Sequence, residues 1–165
     1  MTPSKPPDDA AARTELIRGL QEDLAGEYKA IIQYVIYSQK LDKAAYRSIA
    51  EELALHAHEE LDHALAISKQ LDYMGAYPTH QPKPVAVPED NEGMLWADLR
   101  AEDETIRNYR TRIQQAEAVG EIAMAEIIRG IVLQEQEHQI DLASALGVVP
   151  SEHARMGEGP ATGKK

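Results

Sequence analysis

Six residues of this chain combine the side-chain types of metal ligands with a strict spacing. Each half of the chain contains an isolated Glu followed by a Glu-x-x-His, and the interval between the two is the same in both halves. The residues are Glu27, Glu60 and His63 in the first half and Glu102, Glu135 and His138 in the second. Four carboxylates and two imidazoles are enough donors to hold two metal ions. Because random drift would not keep polar groups in register across both halves, the repeat predicts one twofold-symmetric site.

Four amphipathic helices must position these residues. Apolar side chains recur with the period of a helix over about residues 10–41, 49–74, 92–119 and 124–146. Short breaks at Asp42-Lys43 and Gly120 separate the helices of each pair, whereas residues 75–90 contain four prolines and no helical period. This order of connections predicts an all-α, antiparallel four-helix bundle with one long crossover between the second and third helices.

The two ends of the chain are predicted to lie outside the bundle. Residues 1–9 are polar and rich in proline, which favours a disordered N-terminal segment. Residues 148–165 are polar and rich in glycine, and we expect a flexible C-terminal tail. Residues 10–147 are therefore assigned to the bundle, a single domain of ordinary size.

Composition and charge exclude several classes of function. The chain has no cysteine, which excludes disulfides, thiolate zinc sites and cysteine nucleophiles. Its net charge of −11 disfavours nucleic acid as a partner, because phosphate binding needs a cationic surface. No apolar stretch reaches the roughly 18 residues of a membrane span, and the N-terminus lacks the features of a signal peptide. We therefore expect a cytoplasmic protein without a membrane partner.

Helix geometry predicts that the four glutamates meet near the middle of the bundle. Glu27 and Glu60 stand at nearly equal distances from the first short turn, about 25 Å at a rise of roughly 1.5 Å per residue. Glu102 and Glu135 have the same relation to the second short turn. Buried carboxylates without partners each cost several kcal/mol, so these four must either stay protonated with raised pKa values or hold cations. Two divalent ions would balance the four negative charges.

The complete pattern resembles the di-iron centre of the ferritin-like superfamily. The segment 26–34, GEYKAIIQY, is similar to the first helix of bacterioferritins, and the resemblance spans about residues 12–146. It implies two iron ions per subunit, with Glu27 and Glu102 as terminal ligands, Glu60 and Glu135 as bridging ligands, and His63 and His138 on one iron each. Carboxylate and imidazole donors beside two adjacent metals suit iron or manganese better than zinc. Ligand types alone do not separate iron from manganese.

Further polar residues of the inward-facing stripes are predicted to support the ligands. Tyr34 and Tyr109 follow the isolated glutamates by two helical turns, and we interpret them as donors to ligating carboxylates or as one-electron sources. Asp23 and Asp98 precede the same glutamates by one turn, where a carboxylate would accept the free N–H of a metal-bound histidine. His56 has no polar counterpart in the repeat. It is an extra ligand, an iron-entry residue or a core histidine, and we favour the last two.

Departures from the bacterioferritin pattern bear on cofactor and assembly. Bacterioferritins often bind haem through a methionine directly after the first bridging glutamate, where this chain has Leu61, so no haem is predicted. Those proteins also use a fifth helix to build a 24-subunit cage, and the short tail after Gly147 argues against that assembly. We expect a homo-oligomer, either a dimer or a 12-subunit cage similar to that of Dps proteins.

The resemblance favours a ferroxidase that oxidises Fe(II) to Fe(III) with O₂ or H₂O₂ for iron storage or detoxification. The alternative is a di-iron or di-manganese oxidase, oxygenase, peroxidase or catalase that acts on a small substrate without storing iron. A third hypothesis is a non-enzymatic helical protein in which the metal only stabilises the bundle. The residues do not distinguish between O₂ and H₂O₂ as the oxidant.

Overall fold

The computed structural model describes the backbone of residues 7–150 and the side chains of residues 9–150. Four long helices and one short 3₁₀ turn make up its regular structure: α1 Pro7–Lys40, the turn Ala44–Tyr46, α2 Arg47–Tyr73, α3 Asn91–Ala118 and α4 Ile122–Leu146. The predicted all-α class and the long crossover between α2 and α3 are confirmed. Helix α1 begins slightly before its predicted start. Residues 1–6 and 151–165 lie outside the described residues, so the division into bundle and tails stays a prediction.

The helix ends follow from local side-chain and backbone chemistry. Asp90 caps the start of α3, because its carboxylate accepts a hydrogen bond from the Gly93 N–H at 2.7 Å. Gly120 and Gly147 end α3 and α4 with φ angles of 82° and 70°, a left-handed conformation in which a side chain is strained. The short connections therefore fall where the sequence places them.

The crossover decides which helices face each other. It runs along α1, where the Lys83 N–H donates to the Ala25 carbonyl at 2.9 Å and the Tyr37 hydroxyl donates to the Ala86 carbonyl at 2.6 Å. The chain thereby returns to the end of the bundle where α1 ends, and α3 begins there at Asn91, whose amide donates to Asp42 at 2.8 Å. As a result α1 packs on α2 and α3, and α4 packs on α3 and α2, with antiparallel neighbours throughout.

Two apolar clusters fill the interior and leave a polar layer between them. One cluster contains Leu16, Leu20, Leu24, Ile67, Leu71 and Met124, and the other contains Leu53, Leu95, Leu99 and Leu142. Every one of these side chains is at most 1% exposed. Polar residues in the layer between the clusters are thus shielded from water at both ends of the bundle. Within residues 7–150, no helix is both long and apolar enough to cross a membrane.

Candidate metal centre

The six predicted ligands lie together in the middle of the bundle. Helices α1 and α3 each contribute one glutamate. Helices α2 and α4 each contribute a Glu-x-x-His, whose two side chains share one face because three residues make nearly one helical turn. Each of the six has an exposed fraction of at most 2%. They are Glu27, Glu60, His63, Glu102, Glu135 and His138.

His63 lies among three carboxylates. Its Nδ1 atom is 3.1 Å from Glu60, 3.2 Å from Glu135 and 3.7 Å from Glu27. If one ligand atom is taken from each of these four residues, the four atoms all lie within 4.8 Å of one another. This is a spacing at which a single cation can contact all four.

His138 has the equivalent surroundings in the other half of the site. Its Nδ1 atom is 3.0 Å from Glu60, 3.3 Å from Glu135 and 3.9 Å from Glu102. These four residues form a second set of donors within 4.8 Å of one another. The two sets share Glu60 and Glu135, so the arrangement is compatible with two adjacent cations that have two carboxylates in common.

Several donor atoms of the centre make no hydrogen bond with the described residues. Such atoms occur in five of the six residues: Glu27 Oε2, Glu60 Oε1, Glu102 Oε2, both carboxylate oxygens of Glu135, and His138 Nδ1. An unpaired buried polar atom costs about 1–3 kcal/mol, and more when it is charged. Six such atoms in one place are unfavourable for a folded protein unless something binds them. Oxygen and imidazole nitrogen donors without partners fit divalent iron or manganese.

Burial raises the pKa of both isolated glutamates. For Glu27 the loss of hydration is the largest cause, and the negative charges of Glu60 and Glu135 act in the same direction. For Glu102 burial is again the largest cause, followed by the charges of Glu135 and Glu60. Both carboxyl groups have pKa values well above the ordinary value, which favours their protonated form in the cation-free protein.

The pKa values of the two histidines are raised, whereas burial lowers the pKa of most imidazoles. Burial lowers the pKa of His63, but the nearby carboxylates of Glu135, Glu27 and Glu60 outweigh burial and raise it far above its usual range. The same balance raises the pKa of His138 to about 10. Burial also acts to raise the pKa of Glu60, yet its close contacts with Glu27 and with both histidine rings hold that pKa well below the ordinary value. The cation-free centre therefore neutralises its own carboxylates with protons.

Both predicted tyrosines contact a carboxylate of the centre, each across the α1–α3 interface. The Tyr34 hydroxyl donates to Glu102, and the Tyr109 hydroxyl donates to Glu27. Two helical turns separate a tyrosine from the glutamate of its own helix by roughly 10 Å, so only the antiparallel partner is within reach. Burial is the main cause that raises the pKa of each tyrosine well above its ordinary value. Both hydroxyls thus remain protonated donors.

The profile of the ferritin-like domain family matches residues 17–150 of this chain. The chain belongs to the ferritin-like family. This confirms the resemblance inferred from the spacing of the ligand-type residues, and the matched segment contains all six of them.

Three known proteins illustrate the relationship. The bacterioferritin of Streptomyces coelicolor is 27% identical over 140 residues, which cover 81% of this chain and 84% of that protein. The bacterioferritin of Desulfovibrio desulfuricans is 28% identical over 127 residues, or 76% of this chain and 71% of that protein. A crystal structure of a ferritin-like, diiron-carboxylate protein from Bacillus anthracis has a TM-score of 0.79 at 30% identity and covers 82% of this chain and 97% of its own.

Asp23 and Asp98 have hydrogen-bond partners other than those predicted. Asp23 accepts hydrogen bonds from the Arg112 guanidinium at 2.6 and 3.3 Å, and Asp98 accepts one from the Gln33 amide at 2.7 Å. Both carboxylates project into the α1–α3 interface. The outer Nε2 atoms of the two histidines instead point along the α2–α4 interface. The prediction that these aspartates accept the histidine N–H groups is therefore wrong.

Glu59 and Gln134 take the role that was predicted for the aspartates. His138 Nε2 donates to Glu59 at 2.8 Å, and His63 Nε2 donates to Gln134 at 2.9 Å. The Gln134 amide also donates to Glu59 at 3.2 Å and joins the two rings through one network. These residues occupy equivalent positions in the repeat, directly before the shared glutamates, so the sequence contained the signal. A carboxylate behind one ring and an amide behind the other would make the two histidines unequal as ligands.

The buried Asp23–Arg112 pair depends on the absence of a side chain at Gly19. A Cβ atom at this position would overlap the guanidinium of Arg112. The guanidinium cannot withdraw freely, because it is bound to Asp23 and also donates to Gln115 at 2.5 Å. We expect Gly19→Ala to lower the free energy of unfolding by at least about 1 kcal/mol. This loss would occur although alanine has a higher helix propensity than glycine. Denaturant melts of the purified variant measure this change.

Gly130 provides the matched control for this prediction. It lies inside α4, and a Cβ atom there would meet nothing within 4 Å. We expect Gly130→Ala to raise the free energy of unfolding by about 0.5–1 kcal/mol. Equal effects of the two substitutions would mean that the guanidinium contact does not matter.

His56 lies beside the centre but outside both donor sets. Its ring stacks on that of His138, with centroids 4.0 Å apart, and meets Tyr34 edge-on at 5.3 Å. Its Nε2 atom is 3.2 Å from Asp141, whose side chain is 42% exposed. Burial is the main cause that lowers the pKa of His56, and the neighbouring charge of His138 adds to it. A neutral ring at this position can serve as a metal ligand.

A narrow pocket reaches the centre from the α1–α3 side. Its volume is about 20 Å³, and its lining includes Gly26, Lys83, Glu60, Glu102 and Thr105. About 10–15 Å³ of such volume is enough to hold one water molecule. The pocket is therefore of the size of a diatomic molecule or a water and excludes larger organic molecules.

Proposed function

We propose that the chain is a di-iron ferroxidase, which oxidises Fe(II) to Fe(III) in iron storage or detoxification. The observation that carries the proposal is the pair of overlapping donor sets with Glu60 and Glu135 in common. Overlap of this kind is the arrangement expected for two adjacent cations bridged by two carboxylates. The names of the relatives support it, since two are bacterioferritins and one is a diiron-carboxylate protein.

The bound iron supplies the redox chemistry: two Fe(II) give two electrons, which with two protons reduce one O₂ to H₂O₂ or one H₂O₂ to two waters. The chain supplies the positions. We infer that Glu27 and His63 hold one cation and that Glu102 and His138 hold the other. The shared glutamates fix the spacing between the two cations, and the apolar clusters at both ends keep bulk water away from them.

The surrounding residues hold the ligands in place and favour the loaded form. Tyr34 and Tyr109 each donate to the terminal carboxylate of the opposite helix, which fixes its orientation. Glu59 and Gln134 accept from the outer nitrogens of the histidines and keep Nδ1 turned inward. These contacts preorganise the donor atoms before the cations arrive.

The size of the pocket supports a small inorganic molecule over an organic substrate at the centre. An oxidase or oxygenase that acts on an organic substrate needs a cavity next to the metals, and typical ligand pockets have volumes of about 300–1,000 Å³. The pocket that reaches Glu60 and Glu102 has about 20 Å³. This favours O₂ or H₂O₂ as the molecule that approaches the centre, with iron itself as the substrate.

We also propose that the protein acts as a homo-oligomer, a dimer or a 12-subunit cage. Large apolar side chains are exposed on α1 and α2, namely Ile32, Val35, Leu61 and Leu65, with exposed fractions of 36–61%. Contact with further copies would remove them from water. A cage would also give the Fe(III) product an enclosed space, whereas a dimer would release it.

Anaerobic titration of the cation-free protein with Fe(II), followed by addition of O₂ or H₂O₂, tests the proposal. We expect binding that saturates near two irons in the centre per chain, since the structure has two donor sets, and rapid formation of Fe(III) when oxidant is added. The solution mass of the same sample reports the assembly. Slow oxidation at the rate of free Fe(II), or no saturable binding, would contradict the ferroxidase function.

A further inference from the structure

We propose that Glu52, His56 and Asp141 form a separate divalent-cation site that receives Fe(II) from solvent before it reaches the di-iron centre. The role as an entry site rests on the proposed ferroxidase function. The existence of the cation site does not, because it can be tested with a redox-inert ion.

The three side chains converge from two helices. Glu52 and His56 are one turn apart on α2, and Asp141 lies nearly one turn after His138 on α4. His56 Nε2 is 3.2 Å from Asp141, and one donor atom from each of the three residues fits within 4.8 Å. Two carboxylates and one imidazole are donors that divalent iron, manganese, cobalt and zinc all accept.

The site is open to solvent on one side only. Glu52 and Asp141 line a surface groove of about 300 Å³ between the start of α2 and the end of α4. At about 30 Å³ per water, this volume holds a hydrated cation with room to spare. The side chain of His56, in contrast, is only 4% exposed. A cation that arrives in the groove would therefore exchange water for an imidazole at the boundary of the core.

His56 does not behave as a histidine that serves packing alone. It is 3% exposed, and its Nδ1 atom has no hydrogen-bond partner among the described residues. A buried polar nitrogen without a partner has lost its hydration and gained no hydrogen bond in return, which has a cost in stability. An apolar residue would fill the same space without that cost, so the imidazole is explained better by a ligand than by the core.

The internal repeat provides a comparison within the same chain. In the second half, the positions equivalent to Glu52 and His56 are Ile127 and Ile131, and the position equivalent to Asp141 in the first half is Ala66. All six residues of the di-iron centre are the same in both halves, whereas these three ligand-type residues occur on one side only. Neither the bundle nor the symmetric centre requires them, which points to a function of their own.

A continuous series of donors connects this site to the centre. The ring of His56 stacks on that of His138, and donor atoms of His56, Glu59 and His138 again lie within 4.8 Å of one another. Glu59 is 36% exposed at its side chain and accepts from His138 Nε2 at 2.8 Å. A cation can thus move from the groove to the di-iron centre without leaving oxygen and nitrogen ligands.

Co(II) binding to the cation-free full chain tests the site, with the double variant Glu52→Gln, Asp141→Asn. Both substitutions preserve side-chain volume, and both side chains are at least partly exposed to solvent, so we expect the bundle to fold. We expect three bound Co(II) per wild-type chain and two per variant chain. We also expect the initial rate of oxidation at sub-saturating Fe(II) to fall about tenfold in the variant. Single-turnover oxidation of protein loaded anaerobically with two Fe(II) should be unchanged.

Glu51→Gln is the matched control, since it removes an exposed carboxylate next to Glu52 on α2 without touching the cluster. It should keep three Co(II) and the wild-type rate. Two Co(II) in the wild type would overturn the site. Loss of the third Co(II) without a slower initial rate would overturn the entry role. A wild-type protein that binds three Co(II) but oxidises no Fe(II) would refute the ferroxidase function and the entry role, while the cation site would stand.

Discussion

Replacing Glu60 or Glu135 by Ala is expected to lower the rate of Fe(II) oxidation at least about 100-fold. Each of these carboxylates belongs to both donor sets, so one substitution removes a ligand from both cation positions. Both side chains are at most 1% exposed, and water has no ready access to replace the lost oxygen. Stopped-flow absorbance of Fe(III) formation measures the rate, and Co(II) titration measures the number of cations retained.

The terminal glutamates provide the comparison that tests the shared role. Glu27→Ala removes a donor from one set only, and Glu102→Ala removes one from the other set. In the di-iron centre we expect each of these variants to keep one tightly bound Co(II), whereas Glu60→Ala and Glu135→Ala should bind neither of its two cations tightly. Glu137→Gln, an exposed change on α4, should leave stoichiometry and rate unaltered. Equal losses in all four ligand variants would show that no carboxylate is shared.

The bundle could be predicted because its determinants are local. Apolar residues at helical spacing define four helices, and Gly120 and Gly147 end two of them in a conformation that glycine favours. The prolines of residues 75–90 exclude helix there. Together these features leave one long connection between two hairpins. The short 3₁₀ turn Ala44–Tyr46 was not predicted, since a single turn leaves no period in the sequence.

The convergence of the six ligand-type residues could also be predicted, because the repeat and the helix rise fix their level along the bundle axis. The hydrogen-bond partners across the helix interfaces could not be predicted. Asp23 and Asp98 are equivalent in the repeat, yet Asp23 pairs with Arg112, whose own counterpart is Tyr37. The Tyr37 hydroxyl donates to the crossover at Ala86 instead. Periodicity tells which face a residue occupies, but the partner depends on the identity of the residue opposite.

Binding of two divalent cations to the centre is expected to release about four protons per chain at pH 7. Ligands must lose their protons before they coordinate a metal. We expect Glu27 and Glu102 to carry protons before the cations bind, because burial raises the pKa of each. His63 and His138 are protonated because their bonds to carboxylates outweigh burial, with a pKa of about 10 for His138. Titration calorimetry in two buffers of different ionisation enthalpy measures the number of protons.

The same shifts predict opposite pH dependences of stability for the cation-free and the loaded protein. A pKa that is higher in the folded than in the unfolded state stabilises the fold below the unfolded value, about 6.5 for histidine. That contribution is lost as the pH rises through the folded value, about 10 for His138. The melting temperature of the cation-free protein should therefore fall between pH 6 and pH 10. Cation affinity should rise over the same interval because fewer protons compete for the ligands, so the difference in melting temperature between loaded and cation-free protein should widen. A cation-free protein that becomes more stable across this range, or cation uptake without proton release, would mean that its buried carboxylates are neutralised by something other than protons.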